Sequence, residues 1–348
     1  MDIRKVKIGN VEIGGGNKIA IQSMTTAYTA DVKKTVEQIH NLEKAGCDII
    51  RIAVLDEDSA RAVYDIKNQI SIPLVADIHF DYRLALTCME RGIDKIRINP
   101  GNIGSEDRAR AVCEEAKRRN IPIRIGVNGG SLEKEILEKY GEATPEAMVE
   151  SAMGHVKILE KYGFYDTVIS MKSSDVKKTI AAYRLARETF DYPLHIGVTE
   201  AGTYKSGIVK SSIGIGSLLA DGIGETIRVS LTDDPALEVE AAKIILKALG
   251  LREGGIEVVS CPTCARCKIN LIPIAKEISE RLENCDKKLK VAVMGCVVNG
   301  PGEARDADIG IAGGDGCAML FKKGEIVGKI PEDKIIETLM SEIEKAEG

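Results

Sequence analysis

An eight-stranded α/β barrel followed by a smaller α+β domain is the fold class this sequence predicts, on three observations. Short, near-continuous apolar runs recur between residues 18 and 250, and most are followed by an amphipathic stretch of helical period. The alternation stops at Gly254-Gly255. Beyond it, helical and strand-like segments follow in a different, mixed order.

The apolar runs fall at residues 19–24, 48–54, 73–79, 95–99, 122–128, 166–172, 194–199 and 226–231. Strands buried on both faces lose polar alternation and read as continuous branched-apolar segments. Helical stretches at 31–45, 82–91, 106–119 and 236–249 are long enough to return the chain for a parallel neighbour. Eight such units in series is the count a TIM barrel needs; a doubly wound open sheet is the alternative. Gly14-Gly15-Gly16 reads as a turn before the first strand, and Gly250 as the C-terminal cap of the eighth helix. The barrel domain is thus expected over 1–253. Residues 256–348 then form an α+β domain with a helix over 269–282, strands at 290–294 and 309–312, and a final helix over 332–345.

The chain's 348 residues are 44% hydrophobic, enough to bury a large core. A net charge of −5 argues against a general nucleic-acid binder. The first residues lack the apolar segment of a signal peptide, and no run approaches the roughly 18 apolar residues of a membrane span. Nine cysteines in this context point to a reducing, cytoplasmic setting rather than a disulfide framework.

Four predicted strands hold an arginine between branched apolar residues: Ile50-Arg51-Ile52, Ile96-Arg97-Ile98, Ile123-Arg124-Ile125 and Ile227-Arg228-Val229. Side chains alternate along a strand, so where the apolar neighbours pack on helices the arginines point into the barrel. Desolvated guanidinium groups need anionic partners, and a polyphosphate matches their planar fork. Asn99, Asn128, Lys172, Thr199-Glu200 and Ser230 lie at strand ends, where barrels place functional groups. The bland reading pairs one or two arginines with Asp77 or Glu200. His79 and His195 lie on strands and are candidate acids, bases or donors, whereas His40 and His155 read as structural. The Gly101-Asn102-Ile103-Gly104 loop is a weak phosphate-contact signal.

Cysteines mark the second domain. Cys261-Pro262-Thr263-Cys264 is joined by Cys296 and then by Asn299-Gly300-Pro301-Gly302-Glu303. Two thiolates three positions apart grip one metal centre, and a third arrives from a distant loop. That pattern suits an iron–sulfur cluster with an incomplete cysteine set. Zinc accepts the same start and wants four closed ligands, which Cys267 would supply. In the bland reading Cys267, Cys285 and Cys317 are small apolar residues.

Three stretches resemble the 4-hydroxy-3-methylbut-2-enyl diphosphate synthase family of the non-mevalonate isoprenoid pathway, in its compact two-domain bacterial form. They are residues 77–83 (Asp77-Ile78-His79-Phe80-Asp81-Tyr82-Arg83), 97–104 (Arg97-Ile98-Asn99-Pro100-Gly101-Asn102-Ile103-Gly104) and 295–304, which spans Cys296, Asn299 and Glu303. The resemblance implies two-electron reductive ring opening and dehydroxylation of 2-C-methyl-D-erythritol 2,4-cyclodiphosphate. It implies a 4Fe-4S cluster held by Cys261, Cys264, Cys296 and Glu303; a carboxylate is a harder, less suited ligand for that iron than thiolate. It also implies diphosphate binding by Arg51, Arg97, Arg124, Lys172, Arg228 and Ser230, and proton transfer at Glu200. Asp77, Asn99 and Asn128 join the binding set and His79 the catalytic one. Cys267 occupies a position that is no ligand in the family and is expected to be a bystander.

Helix eight of a barrel returns the chain to the end opposite its catalytic mouth, roughly 30 Å away for ordinary element lengths. A short glycine linker does not span that distance. A head-to-tail homodimer, each cluster capping the partner's barrel, is therefore expected, with a ferredoxin or flavodoxin as electron donor and neither nucleic acid nor membrane as partner. Two other readings remain: a non-redox phosphate-binding barrel enzyme with a structural metal site, and an iron–sulfur sensor or carrier.

Overall fold

The computed structural model describes residues 2–98, 106–252, 254–282, 285, 287–298 and 306–346. Asn99, the Gly101–Gly104 loop, and Glu303 with the motif around it lie outside the described residues. The chain divides into two compact units, Met1–Arg252 and Glu253–Gly348.

The first unit opens with a hairpin, β1 (Val6–Ile8) and β2 (Val11–Ile13), which the sequence reading did not foresee. Eight parallel strands follow: β3 (Ala20–Met24), β4 (Ile49–Ala53), β5 (Leu74–Asp77), β6 (Lys95–Ile98), β7 (Ile123–Asn128), β8 (Thr167–Lys172), β9 (His195–Ile196) and β10 (Thr226–Ile227). They pair in chain order, β10 returns to β3, and a parallel bridge between Ile169 and Leu194 closes the ring. Each strand run foreseen from sequence is present. β9 and β10 are shorter than their apolar runs, their ladder pairs stopping at Ile196 and Ile227. Even so, the Arg228 N–H still donates to the Ile196 carbonyl at 3.0 Å.

The ring of helices is α1 (Val32–Ala45), α2 (Glu57–Lys67), α3 (Tyr82–Glu90), α4 (Glu106–Arg119), α5 (Lys134–Tyr140), α6 (Pro145–Lys161), α7 (Val176–Thr189), α8 (Tyr204–Ala220) and α9 (Pro235–Ala248). Side-chain oxygens of Asp31, Asp56, Asp81, Thr144, Asp175 and Asp234 cap the first turns of α1, α2, α3, α6, α7 and α9. At the end of α9, Gly250 N–H donates to Lys247 O and Leu251 N–H to Leu246 O, both at 2.9 Å. This is the Schellman closure expected of a glycine there.

Burial follows the strand alternation. Ile50, Ile52, Ile96, Ile98, Ile123, Ile125 and Ile169 face outward into one continuous core with the helices. At the N-terminal ends of the strands, Ala20, Ile49, Val75 and Val168 meet Val6, Ile8 and Ile13 of the hairpin, which plugs that end of the barrel. Polar side chains are thereby left to the middle and the opposite mouth.

The second unit is a five-stranded sheet ordered β11 (Glu257–Ser260), β12 (Lys290–Met294), β13 (Ile309–Gly314), β14 (Cys317–Lys322) and β15 (Glu325–Pro331). The first three strands are parallel and the last two antiparallel. α10 (Leu271–Leu282) and α11 (Ile335–Lys345) bury Ile274, Ile278, Leu339 and Ile343 against Val291, Val293, Ile309 and Ile311.

Candidate functional site

Register brings the barrel's charged residues to neighbouring positions: Asp77 pairs with Arg97, Arg97 with Arg124, and Arg51 with Val75 and Met24. Because their apolar neighbours face the helices, these side chains turn inward, and Arg51, Arg97 and Arg124 are all buried. Arg97 Nη1 lies 3.0 Å from Asp77 Oδ1, and Arg51 Nη1 3.6 Å from Asp77 Oδ2. His79 Nε2 is 3.7 Å from the same carboxylate, on a half-exposed side chain. Arg124 Nη1 donates to Gln22 Oε1 at 3.3 Å. The guanidinium of Arg97 crosses β7 at Gly126, where a Cβ would lie 2.3 Å from Arg97 Nε. Only glycine leaves that passage open.

The bland reading is realised at Asp77, which serves both Arg51 and Arg97. Among the described residues no arginine is paired with Glu200. Glu200 is exposed past β9 with φ +51°, a left-handed backbone uncommon for a non-glycine residue. Arg228 faces Glu238 of α9, Nε to Oε2 3.6 Å. Glu238 is a buried carboxylate of this cluster that the sequence reading missed. The available signal was a carboxylate in phase with Ala241, Ala242 and Ile245, on the buried stripe of its helix.

The charge balance is uneven. Among the described residues, buried Arg51, Arg97, Arg124, Lys95 and Lys172 and half-buried Arg228 lie with only two buried carboxylates, Asp77 and Glu238, and no carboxylate pairs with Arg124, Lys95 or Lys172. Lys95, also missed, lies two residues before Arg97 and so on the same strand face. Buried side-chain nitrogens without a hydrogen-bond partner here are Gln22 Nε2, Lys95 Nζ, Arg124 Nε, His195 Nε2 and Arg228 Nε. Donors left over inside a protein call for acceptors from a ligand or water.

Electrostatics record the same excess. Burial, then Arg228 and Arg124, push Lys172 well below the ordinary lysine range. Lys95 falls likewise through burial, then Arg124 and Arg51. His195 is lowered by burial, then by Arg124 and Lys172; its Nδ1 pairs with Thr226 Oγ1 at 2.8 Å. Burial brings Arg51 down to about 10 against the pull of Asp77. For Asp77 burial works against ionisation, yet Arg51, Arg97, His79 and Arg124 outweigh it and hold the carboxyl well below its usual range. Asn128 closes β7 and Ser230 lies beyond β10, both half-buried and on the mouth side.

In the second unit, neighbouring parallel strands β11 and β12 bring Cys261 and Cys296 to the same end of the sheet. Gly295 N–H donates to Cys261 Sγ at 3.2 Å. Exposed Cys264 has its thiol lowered by the backbone N–H of Arg266. The contact at Cys264 favours its thiolate, the form that binds soft metals. Cys267 Sγ is directed to Ile269 O at 3.2 Å and packs on Gly295, where a Cβ would approach it to 2.6 Å. Among the described residues, no three Cys, His, Asp or Glu side chains are gathered tightly enough to hold an ion. Cys47, Cys88 and Cys113 are buried in the barrel unit, their thiols pushed up to about 12 by burial.

A barrel unit with buried cations in excess of carboxylates, followed by a second unit that carries Cys261, Cys264 and Cys296, defines a two-domain barrel protein. Residues 3–243 match the GcpE TIM-barrel domain, and residues 257–345 match the GcpE protein C-terminal domain. The chain belongs to the GcpE family. It is similar to the 4-hydroxy-3-methylbut-2-en-1-yl diphosphate synthase (flavodoxin) of Caldanaerobacter subterraneus subsp. tengcongensis, 62% identical over 342 residues, 98% of this chain and 96% of that protein. The protein of that name from Clostridium perfringens is 61% identical over 343 residues, 99% and 98% of the two chains. Among solved structures, dihydropteroate synthase from Stenotrophomonas maltophilia matches 70% of this chain and 97% of its own, with TM-score 0.51 and 12% identity. That from Yersinia pestis matches 71% and 98%, with TM-score 0.50 and 12% identity. These two share the barrel fold alone.

Proposed function

We propose that this chain reductively opens 2-C-methyl-D-erythritol 2,4-cyclodiphosphate to 4-hydroxy-3-methylbut-2-enyl diphosphate, a two-electron oxidoreductase reaction of isoprenoid biosynthesis. The observation that carries the reading is the buried excess of cations over carboxylates, on a chain matched end to end by synthases of that name. Arg51, Arg97, Arg124, Lys172, Arg228 and Ser230 bind the diphosphate, with Asp77 and Asn128 lining the same strands and Asn99 completing the set. Bidentate arginine contacts fix the phosphates and hence the ring's orientation. Dehydroxylation needs a proton for the departing oxygen; Glu200, held in a left-handed turn past the mouth end of β9, supplies it, with His79 beside Asp77 as second candidate.

A 4Fe-4S cluster fits the donor set of Cys261, Cys264 and Cys296, with Glu303 as fourth ligand. Its chemistry is the delivery of single electrons, taken from flavodoxin as in the relatives' name. Among the described residues no helix is long and apolar enough to cross a membrane, in keeping with a cytoplasmic enzyme.

The site is completed by a second copy. Arg252 at the end of the first unit pairs with Asp48 at 3.3 Å, and Asp48 accepts the Ile21 N–H, so the chain leaves this unit at the plugged end of the barrel. The mouth is at the other end, and a head-to-tail homodimer answers that separation. Mixing Arg124→Ala with Cys296→Ala protein should then restore activity through one intact hybrid site; no restoration despite proven subunit exchange excludes the arrangement. For the reaction itself, anaerobic iron-loaded protein should reoxidise reduced flavodoxin with two electrons per linear diphosphate formed. Reoxidation that does not depend on the cyclic diphosphate would reject the reading.

A further inference from the structure

The buried carboxylate of Glu238 touches three elements at once. Its Oε1 accepts the Leu231 N–H at 2.9 Å, its Oε2 accepts the Ser23 hydroxyl at 3.2 Å, and Oε2 faces Arg228 Nε at 3.6 Å. The side chain rises from the first turn of α9, is 4% exposed, and follows a helix start fixed by the Asp234 cap and Pro235. Leu231 immediately follows Ser230, so the carboxylate holds the segment from Arg228 to Leu231 at both ends. Ser23 belongs to β3, which pairs with β10. One acidic group thus ties the exit of β10 to β3 and to its helix.

From this geometry we propose that Glu238 is a positioning residue for diphosphate recognition, setting Arg228 and Ser230 without itself meeting substrate. This rests on the function proposed above. The carboxylate lies on the Nε side of Arg228 as an ion pair rather than a hydrogen bond, and so does not occupy the two terminal nitrogens, the fork that matches a phosphate. The N–H bond to Leu231 fixes the backbone that carries the Ser230 hydroxyl. Holding both against thermal motion lowers the ordering cost of ligand binding.

Two physical effects of Glu238 have opposite signs, which makes the inference testable. As a negative charge near an anion site, Glu238 weakens phosphate binding, so charge alone predicts tighter binding once it is removed. As a positioning group it strengthens binding, because an amide in its place turns N–H groups toward the donors of Arg228 and Ser23. The experiment is calorimetry of full-length, cluster-loaded Glu238→Gln and wild-type protein with the cyclic diphosphate in the absence of reductant, followed by turnover.

The expected result is binding weakened about tenfold, the scale of one mis-set charged hydrogen bond, with KM raised and kcat nearly unchanged. Equal or tighter binding by Glu238→Gln beside a binding-competent wild type overturns the positioning role and leaves the enzyme reading standing. A wild type that does not bind the cyclic diphosphate overturns both. Ser23→Ala keeps both charges and removes one restraint, so it carries the test if Glu238→Gln does not fold. Severalfold weaker binding supports the role, and unchanged binding rejects it.

Discussion

Gly126→Ala is the smallest change that should damage the proposed diphosphate site without removing any of its charges. The new methyl carbon would stand 2.3 Å from Arg97 Nε, 2.6 Å from Nη2 and 2.8 Å from Cζ. Carbon-to-heavy-atom contacts become comfortable near 3.5 Å, so the guanidinium must retreat by about 1 Å. Arg97 Nη1 is 3.0 Å from Asp77, and a shift of that size breaks a well-formed contact. Overpacking of this kind costs about 1–3 kcal/mol of stability. Losing one charge-assisted bond to phosphate costs about 1.5–3 kcal/mol of binding, which is roughly 10- to 150-fold in kcat/KM. Gly130→Ala is the control, since among the described residues no atom beyond its chain neighbours lies within 4 Å of its added carbon. Steady-state kinetics and a urea titration of both variants measure the two effects. Wild-type kcat/KM in Gly126→Ala, or an equal loss in Gly130→Ala, would refute the claim that Arg97 works through the gap at Gly126.

Lys95, Lys172 and His195 have folded pKa values below their ordinary ones, so the unfolded chain binds more protons than the fold in the window between the two. Stability of the ligand-free protein should therefore rise with pH across those windows. Asp77, lowered in the fold, adds stability above the ordinary carboxylate range and loses it as pH falls through its depressed value. A polyanion should return protons to the lysines. Calorimetry of pyrophosphate binding at mildly alkaline pH, in two buffers of different ionisation enthalpy, should show proton uptake; identical heats would contradict this. Ile8→Ala should cost about 2–5 kcal/mol in urea unfolding, because Ile8 is fully buried between hairpin and strand ends; a cost below 1 kcal/mol would show that the hairpin does not seal the barrel. Cys267→Ala should retain cluster absorbance and Glu303→Ala should lose it, and the reverse outcome would exchange their assigned roles.

The barrel was legible because its physics repeats. An isoleucine on either side of Arg51, Arg97 and Arg124 says at once that the strand is buried and that the arginine faces the other way. What the arginines would meet was less legible. Asp77 closes a strand and was a named candidate, but Glu238 arrives from a helix distant in sequence from Ser23, and its partner choice depends on three-dimensional register. The hairpin of β1 and β2 has three residues per strand, too few for a period to show. The β14–β15 turn has φ +46° at Lys323 and +85° at Gly324, a type I′ turn without the Asn-Gly pair that would announce it. In the second unit the spacing of Cys261, Cys264 and Cys296 spoke of a metal. The contacts these sulfurs make, such as Gly295 N–H to Cys261 Sγ, are encoded by no spacing.

The most direct test of the central claim is phosphorus NMR of anaerobic, cluster-loaded protein incubated with the cyclic diphosphate, with and without a strong reductant. The account predicts that the signals of the cyclic diphosphate give way to those of a linear diphosphate only when reductant is present, and that Arg124→Ala slows the change severely. Cyclic signals that persist beside a demonstrably intact cluster and a strong reductant would contradict it.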